Sequence, residues 1–491
     1  MKRYVSIDFL RGLAIFGVVF FHLFSDLFDE GSVYPQINTL PASLIVTLLV
    51  IIYMGSWGGF FVTISGTGNM VSMQKHLQDG KRVKDVVMKQ VVGGIILLVF
   101  SMLTEGVFQY YAFLGTLVNG PVDWTRIVWH AYAMTPVTCL AVCMVINGLL
   151  YGAMARNGGY AQIKRNILIF AVLAVVIIAC TQPVWDWAKT LIVGYPNAHQ
   201  TYAPNLPGDY KVSMPPMTST FFQLAGYLLL DFVAGTNTPL FPFLACSFVG
   251  SIIGLILMQE KPSPSIPKKG MVAGALIFAM GIILGLILHL GFGSFLPISN
   301  FADITSIGNG LNGNWIPWFF FQFGGPLVAT FLLLRIVEFR GKAAAFGQKT
   351  RFIRRFGVPA FTIYAFHRFM AMVPILLLAA ILGITLGKLS MPLTLLFIAV
   401  SLLFIHLILL LWERVDYIGS IEWMIGTVAG VVIPGMPSEK HMGAPSRAKW
   451  YLAGRINVQK LFYEAEWIDI VPAAEIPHED LKESKLAFKL A

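Results

Sequence analysis

Long apolar runs recur along the chain, separated by short polar, glycine-rich or proline-rich stretches. Taking about 20 apolar residues as one membrane crossing, the runs near 6–25, 42–72, 90–110, 127–152, 166–186, 238–258, 270–292, 314–337, 357–383 and 391–412 predict ten spanning helices. Two connections are long: 187–217, rich in Pro, Gly, Asn and Tyr, reads as a structured external cap, and 293–313 as a second external element. The stretch TSTFFQLAGYLLLDFVAGT (218–236) is apolar but reaches Asp231 and a Gly-Thr-Asn break, so it predicts a re-entrant or interfacial helix. After Arg414, VDYIGSIEWMIGTVAGVVIPG reads as an amphipathic helix on the inner surface or a short eleventh span. The pattern therefore predicts an all-α, polytopic transmembrane bundle over 1–435, followed by a polar cytosolic tail over 436–491, in which EAEWIDIVPAAEIPHEDLKESK is acidic and proline-punctuated.

Composition agrees with that class. Hydrophobic residues make up 56% of the 491 and charged residues 12%, with mean hydropathy +0.72, far from an ordinary soluble domain. The first run is too long for a signal peptide and no small-residue cleavage site follows it. The four cysteines (Cys139, Cys143, Cys180, Cys246) all fall inside apolar stretches, as core residues do, with neither disulfide nor metal spacing. No P-loop, dinucleotide-binding glycine pattern or metal-ligand cluster appears, so any chemistry belongs to the membrane part and calls for no metal.

The net charge of +10 changes the picture only through its distribution. Alternate connections hold 21 basic residues, among them Lys75, Lys81, Lys89, Arg335, Arg354 and Arg355. The opposite set holds Arg126, Lys189, Lys211 and Lys388. Positive loops stay cytoplasmic, so the N-terminus is inside, as is the tail after ten spans. The basic balance records membrane topology rather than nucleic-acid binding, and the partner it implies is a lipid bilayer, the cell membrane if the source is prokaryotic.

One run carries candidate chemistry. SIDFLRGLAIFGVVFFHLF (6–24) holds Asp8, Arg11 and His22, and titratable side chains at membrane depth are costly and tend to be functional. Eleven residues bring Arg11 and His22 to nearly the same helix face, roughly 16 Å apart along the axis. A guanidinium at the inner rim suits phosphate oxygens. A histidine at mid-depth suits proton transfer, since burial favours its neutral, basic form. Coenzyme A, with phosphates at one end and an acyl thioester at the end of a long arm, fits such a ruler. Plainer readings stand beside this one: Arg11 as an interface anchor paired with Asp8 across one turn, and His22 as a buried structural histidine.

These residues resemble the first membrane segment of the heparan-α-glucosaminide N-acetyltransferase-like family, within the wider acyltransferase-3 type of membrane acyl transferases. The shared features are the Asp-x-x-Arg-Gly opening (Asp8, Arg11, Gly12) and the arginine-to-histidine spacing that ends at His22. GGFFVTISG (58–66), PLFPFLACSFVGSIIG (239–254) and RRFGVPAFTIYAFH (354–367) are similar to later family segments, in the same order. The chain departs from the family's animal enzyme, which has asparagine at the position of His22 and a second active-site histidine with no counterpart near Val33. Amino-sugar specificity is therefore not carried over. The resemblance implies transfer from cytosolic acyl-CoA, with acetyl-CoA the expected donor, to a glycan hydroxyl or amine reached from the other side.

In that reading His22 is the general base, and Arg11, Arg354 and Arg355 hold donor phosphates. Asp8 and Tyr364 support them. His367 lies twelve residues beyond Arg355, roughly 18 Å along a helix, and is a second catalytic candidate or a structural histidine. Glu105, Asp231, His130, His289 and His406 are polar residues in or near spans without an assigned role, and Ser65–Gly66 reads as a close-packing pair. A direct transfer and an acyl-enzyme both remain open, and self-association into a homo-oligomer is compatible with either. The competing class is a membrane transporter, suggested by scattered polar residues and intramembrane glycines, against which no inverted repeat is apparent. A third is a homologue that only scaffolds a complex through its tail.

Overall fold

The computed structural model describes residues 4–29, 41–55, 57–108, 113, 124, 127, 131, 134–191, 221–235, 238–290, 315–384, 388–413 and 417–433. Of the cap expected at 187–217, residues 187–191 continue the preceding helix and 192–217 lie outside the described residues, as do the loop 293–313, His130 and the tail 436–491. The helices in chain order are α1 (Val5–Leu27), α2 (Ala42–Gly55), α3 (Gly58–Gln78), α4 (Val83–Val107), α5 (Pro136–Ala155), α6 (Ile163–Leu191), α7 (Phe221–Ala234), α8 (Leu240–Leu257), α9 (Ile266–Leu290), α10 (Trp315–Val337), α11 (Ala343–Lys349), α12 (Arg351–Phe356), α13 (Ala360–Leu382), α14 (Met391–Glu413) and α15 (Ile421–Val432). Among the described residues, nine helices are long and apolar enough to cross a membrane. The bent pair α2–α3, turned by 45° at its break, makes a tenth. The chain is a polytopic helical bundle and an integral, multi-pass membrane protein.

Three details differ from the sequence expectation or sharpen it. The fourth span begins at Pro136, where Thr135 caps α5 by accepting from the Thr138 amide at 3.3 Å. The ninth does not run unbroken from its arginines: Gly357, Val358 and Pro359 separate α12 from α13, because proline cannot continue the preceding helix. Arg354 and Arg355 thus stand on their own short helix. The segment after Arg414 forms α15, whose 12 residues extend about 18 Å and fall short of a bilayer's hydrocarbon core of about 30 Å. It packs against α4 and α13.

The bundle centres on α8, with 78% of its apolar window inside the protein, against 17% for α6 and for α9. Leu168 and Val175 on α6 and Leu276 on α9 are exposed, as lipid-facing side chains should be. With no hydrophobic gain between apolar helices in lipid, close packing of small residues holds them. A Cβ on Gly66 would lie 2.9 Å from the Ser247 carbonyl oxygen, and one on Gly250 would lie 2.2 Å from that of Thr63. The segments 58–66 and 239–254 are therefore the two sides of one interface, α3 on α8. Asn147 of α5 joins it by donating to Ser247 at 2.7 Å.

Candidate active site

The site is built by α1 lying alongside α12 and α13. At the end of the bundle that the charge bias assigns to the cytosol, the inner end, a Cβ on Gly12 would lie 2.1 Å from the Ile353 carbonyl oxygen. One on Gly357 would lie 2.7 Å from the Gly12 nitrogen. Glycine after Arg11 is thus what lets the two backbones touch. Phe16 then packs edge-on against Phe356, with ring centroids 5.4 Å apart. Ten residues beyond Gly12 and ten beyond Gly357, His22 and His367 meet, their ring centroids 4.9 Å apart and their planes tilted by 50°.

Both imidazoles are held in the same way. Nδ1 of His22 lies 2.8 Å from the Val18 carbonyl oxygen, and Nδ1 of His367 lies 2.6 Å from that of Tyr364. A carbonyl only accepts, so each Nδ1 carries the proton and each Nε2 is left with its lone pair. His367 is 1% exposed, and its Nε2 has no hydrogen-bond partner among the described residues. His22 keeps some accessible surface. Two proton-accepting nitrogens at membrane depth are what acid–base chemistry on a hydroxyl or amine needs.

Charged and hydroxyl groups surround the pair. Asp26, one turn beyond His22, binds Arg368, the residue after His367, with Nε to Oδ2 at 3.2 Å and Nη2 to Oδ1 at 3.4 Å. The Arg368 guanidinium acts electrostatically on His22, His367, Tyr364 and the buried Glu105. Tyr364 turns its hydroxyl towards Thr135 and stacks on Phe61 at 6.1 Å. Thr135 continues to Thr138 at 3.0 Å, and Thr138 to Ser101 at 2.9 Å. Sequence reasoning missed Asp26 and Arg368. The spacing of Asp26 from His22, and the adjacency of Arg368 to His367, were the available signals.

The inner end holds the remaining candidates. Arg354, 5% exposed, donates to the Gly347 carbonyl at 3.0 Å and stands 3.9 Å from the Asp8 carboxylate. Arg355 donates to Glu413 at 2.7 Å, with both side chains almost wholly buried. Glu338 accepts from the Ser6 amide and hydroxyl at 3.0 and 2.9 Å, satisfying an otherwise orphaned donor in the first turn of α1. Burial pushes the Glu338 carboxyl up, and the two Ser6 donors pull it back. Arg11 acts electrostatically on Glu422, whose carboxylate accepts from the Phe361 amide at 2.6 Å and the Thr362 hydroxyl at 2.9 Å at the start of α13. His406 packs against Phe352, away from the histidine pair.

Among known families, the one described as heparan-alpha-glucosaminide N-acetyltransferase, catalytic, matches residues 3–281, more than half of the chain. The matched region carries Asp8, Arg11, His22, Asp26 and Glu105, while Tyr364, His367 and Arg368 lie beyond it. Comparison with curated proteins gives no match.

Proposed function

The chain belongs to the heparan-alpha-glucosaminide N-acetyltransferase catalytic family, and on that premise we propose that it moves an acetyl or other acyl group from cytosolic acyl-CoA to a glycan hydroxyl or amine on the opposite face. The meeting of His22 and His367 supports this most. Two helices from distant parts of the chain bring their imidazoles to 4.9 Å, both with Nε2 available as a base. His22, the more accessible, is the general base. Its Nε2 takes the acceptor's proton as the acceptor oxygen or nitrogen attacks the thioester carbonyl carbon. Collapse of the tetrahedral intermediate breaks the carbon–sulfur bond, and the proton passes from His22 to the departing thiolate.

Developing negative charge on the carbonyl oxygen needs preorganised donors, and Arg368, oriented by Asp26, is the candidate, since its charge acts on both imidazoles. His367 orients the acceptor or shares the proton. Arg11 receives a donor phosphate at the inner end, about 16 Å from His22. Arg354 and Arg355 we assign differently from the sequence expectation: each already holds a carboxylate, so they close the inner end of the bundle around Asp8 and Glu413.

The test is acetyl-CoA turnover in proteoliposomes with glycan or amine acceptors supplied on the far side. His22→Gln keeps hydrogen bonding but not basicity, so it should lower turnover by about 10²-fold or more, the usual worth of a general base, with acetyl-CoA binding intact. Retention of most activity would move the base to His367. If the wild type consumes no acetyl-CoA with any acceptor, the transporter reading replaces this one.

A further inference from the structure

The turn joining α3 to α4 gathers cations that the fold does not neutralise. His76, near the end of α3, and Lys89, two turns into α4, meet across the helix pair with Nζ 3.0 Å from Nε2. An ammonium has no lone pair, so His76 accepts and is neutral there. Lys75 precedes His76 in the chain, and the turn folds back so that the Lys81 amide donates to the His76 carbonyl at 2.9 Å. The charges of Lys75, Lys81 and Lys89 all act on His76, and Asp79 supplies the one carboxylate that does.

Other inner-end arginines are already engaged, while Lys84 stands exposed in water. Arg82 holds Asp85 at 2.8 and 3.1 Å, Arg355 holds Glu413, and Arg165 donates to the Met154 carbonyl at 2.9 Å. Lys75, Lys81 and Lys89 make no ion pair with a carboxylate among the described residues. Topology alone would ask only for charges in water at the helix ends. It does not ask for an ammonium drawn between two helices onto an imidazole, where an ion tends to be paired.

We propose that His76 and Lys89, with Lys75 and Lys81 at the rim, form a phosphate-binding seat at the inner face. A phosphate is compact and multiply charged, as suits a cluster of ammonium groups acting as point charges. Basic pockets between membrane helices on this side take phosphate head groups. The phosphate comes from one of two sources: the head of acyl-CoA, which rests on the proposed function, or an anionic phospholipid of the inner leaflet, which does not.

The experiment compares wild type, Lys89→Gln and the rim double variant Lys75→Gln/Lys81→Gln, each first checked for an unchanged melting temperature. Lys164→Gln, an exposed inner-face lysine, is the control. Each is titrated in neutral detergent with acetyl-CoA, with 3′-dephospho-acetyl-CoA, and with mixed micelles of phosphatidylglycerol or phosphatidylcholine. Lys89→Gln should weaken one phosphate ligand about tenfold, the scale of one charge-assisted bond. A loss confined to acetyl-CoA identifies the donor, and a loss confined to phosphatidylglycerol identifies the lipid. If Lys89→Gln and the double variant bind all ligands like wild type, or Lys164→Gln weakens them as much, there is no seat. If even the wild type binds no acetyl-CoA, the donor reading of the protein fails, and the lipid titrations alone decide the seat.

Discussion

Gly12→Ala puts the link between backbone packing and chemistry to a graded test. The added Cβ would stand 2.1 Å from the Ile353 carbonyl oxygen, whereas ordinary contact begins near 3.4 Å. The two segments must therefore part by about 1.3 Å, because a backbone oxygen cannot swing aside as a side chain can. Overpacking of this kind typically costs about 1–3 kcal/mol. The displacement is carried along α1 towards His22, and a misplacement of about 1 Å at reacting groups can cost about 10²-fold in rate.

Gly357→Ala is milder, its Cβ lying 2.7 Å from the Gly12 nitrogen. Gly17→Ala on the same helix meets only the Phe21 ring at 3.3 Å, and it gains up to about 1 kcal/mol from replacing a mid-helix glycine. Turnover and melting temperature should therefore fall steeply for Gly12→Ala, less for Gly357→Ala, and hardly for Gly17→Ala. Wild-type turnover and stability in Gly12→Ala would refute the reasoning, since the inner contact would then not govern the spacing of the histidines.

Two further outcomes are expected. Arg355→Met should destabilise the protein, but by less than the about 3–5 kcal/mol lost when a buried charge is left with no partner, because Arg351 also stands 3.9 Å from Glu413; Arg355→Met/Glu413→Leu should recover part of the loss. Thermal unfolding reads both, and equal losses in the single and double variants would contradict the pairing. Arg368→Ala should lower kcat with little change in KM for the donor, and exchanging the charges in Asp26→Arg/Arg368→Asp should not restore it. Full recovery in that double variant would make the pair a structural clamp rather than a source of charge at the reacting carbonyl.

The ten spans were legible because lipid imposes a length and apolarity that local sequence must satisfy, and each expected run overlaps an observed helix or bent pair. The break before α13 was written as Gly-Val-Pro. The contact of His22 with His367 was not legible, since periodicity gives the faces of one helix and says nothing of which helix lies opposite. The same limit explains Arg354 and Arg355, which looked like a rim of available charge: the partner of Arg355, Glu413, lies 58 positions along the chain. Arg368 drew no notice beside His367 for the same reason, because its meaning depends on Asp26 at the other end of the chain. Gly66 of the expected Ser65–Gly66 pair does sit against the Ser247 backbone, because small residues act through their absence of bulk, whatever faces them.

The most direct test of the histidine pair as the place of transfer is a density map of the protein with a non-hydrolysable acetyl-CoA analogue. The account predicts that the arm enters from the inner end with a phosphate near Arg11. The acyl carbonyl should then lie between α1 and α13, within about 4 Å of His22 Nε2, as a near-attack arrangement requires. An analogue whose acyl end lies away from both histidines, or whose head group sits at the opposite face, would contradict it.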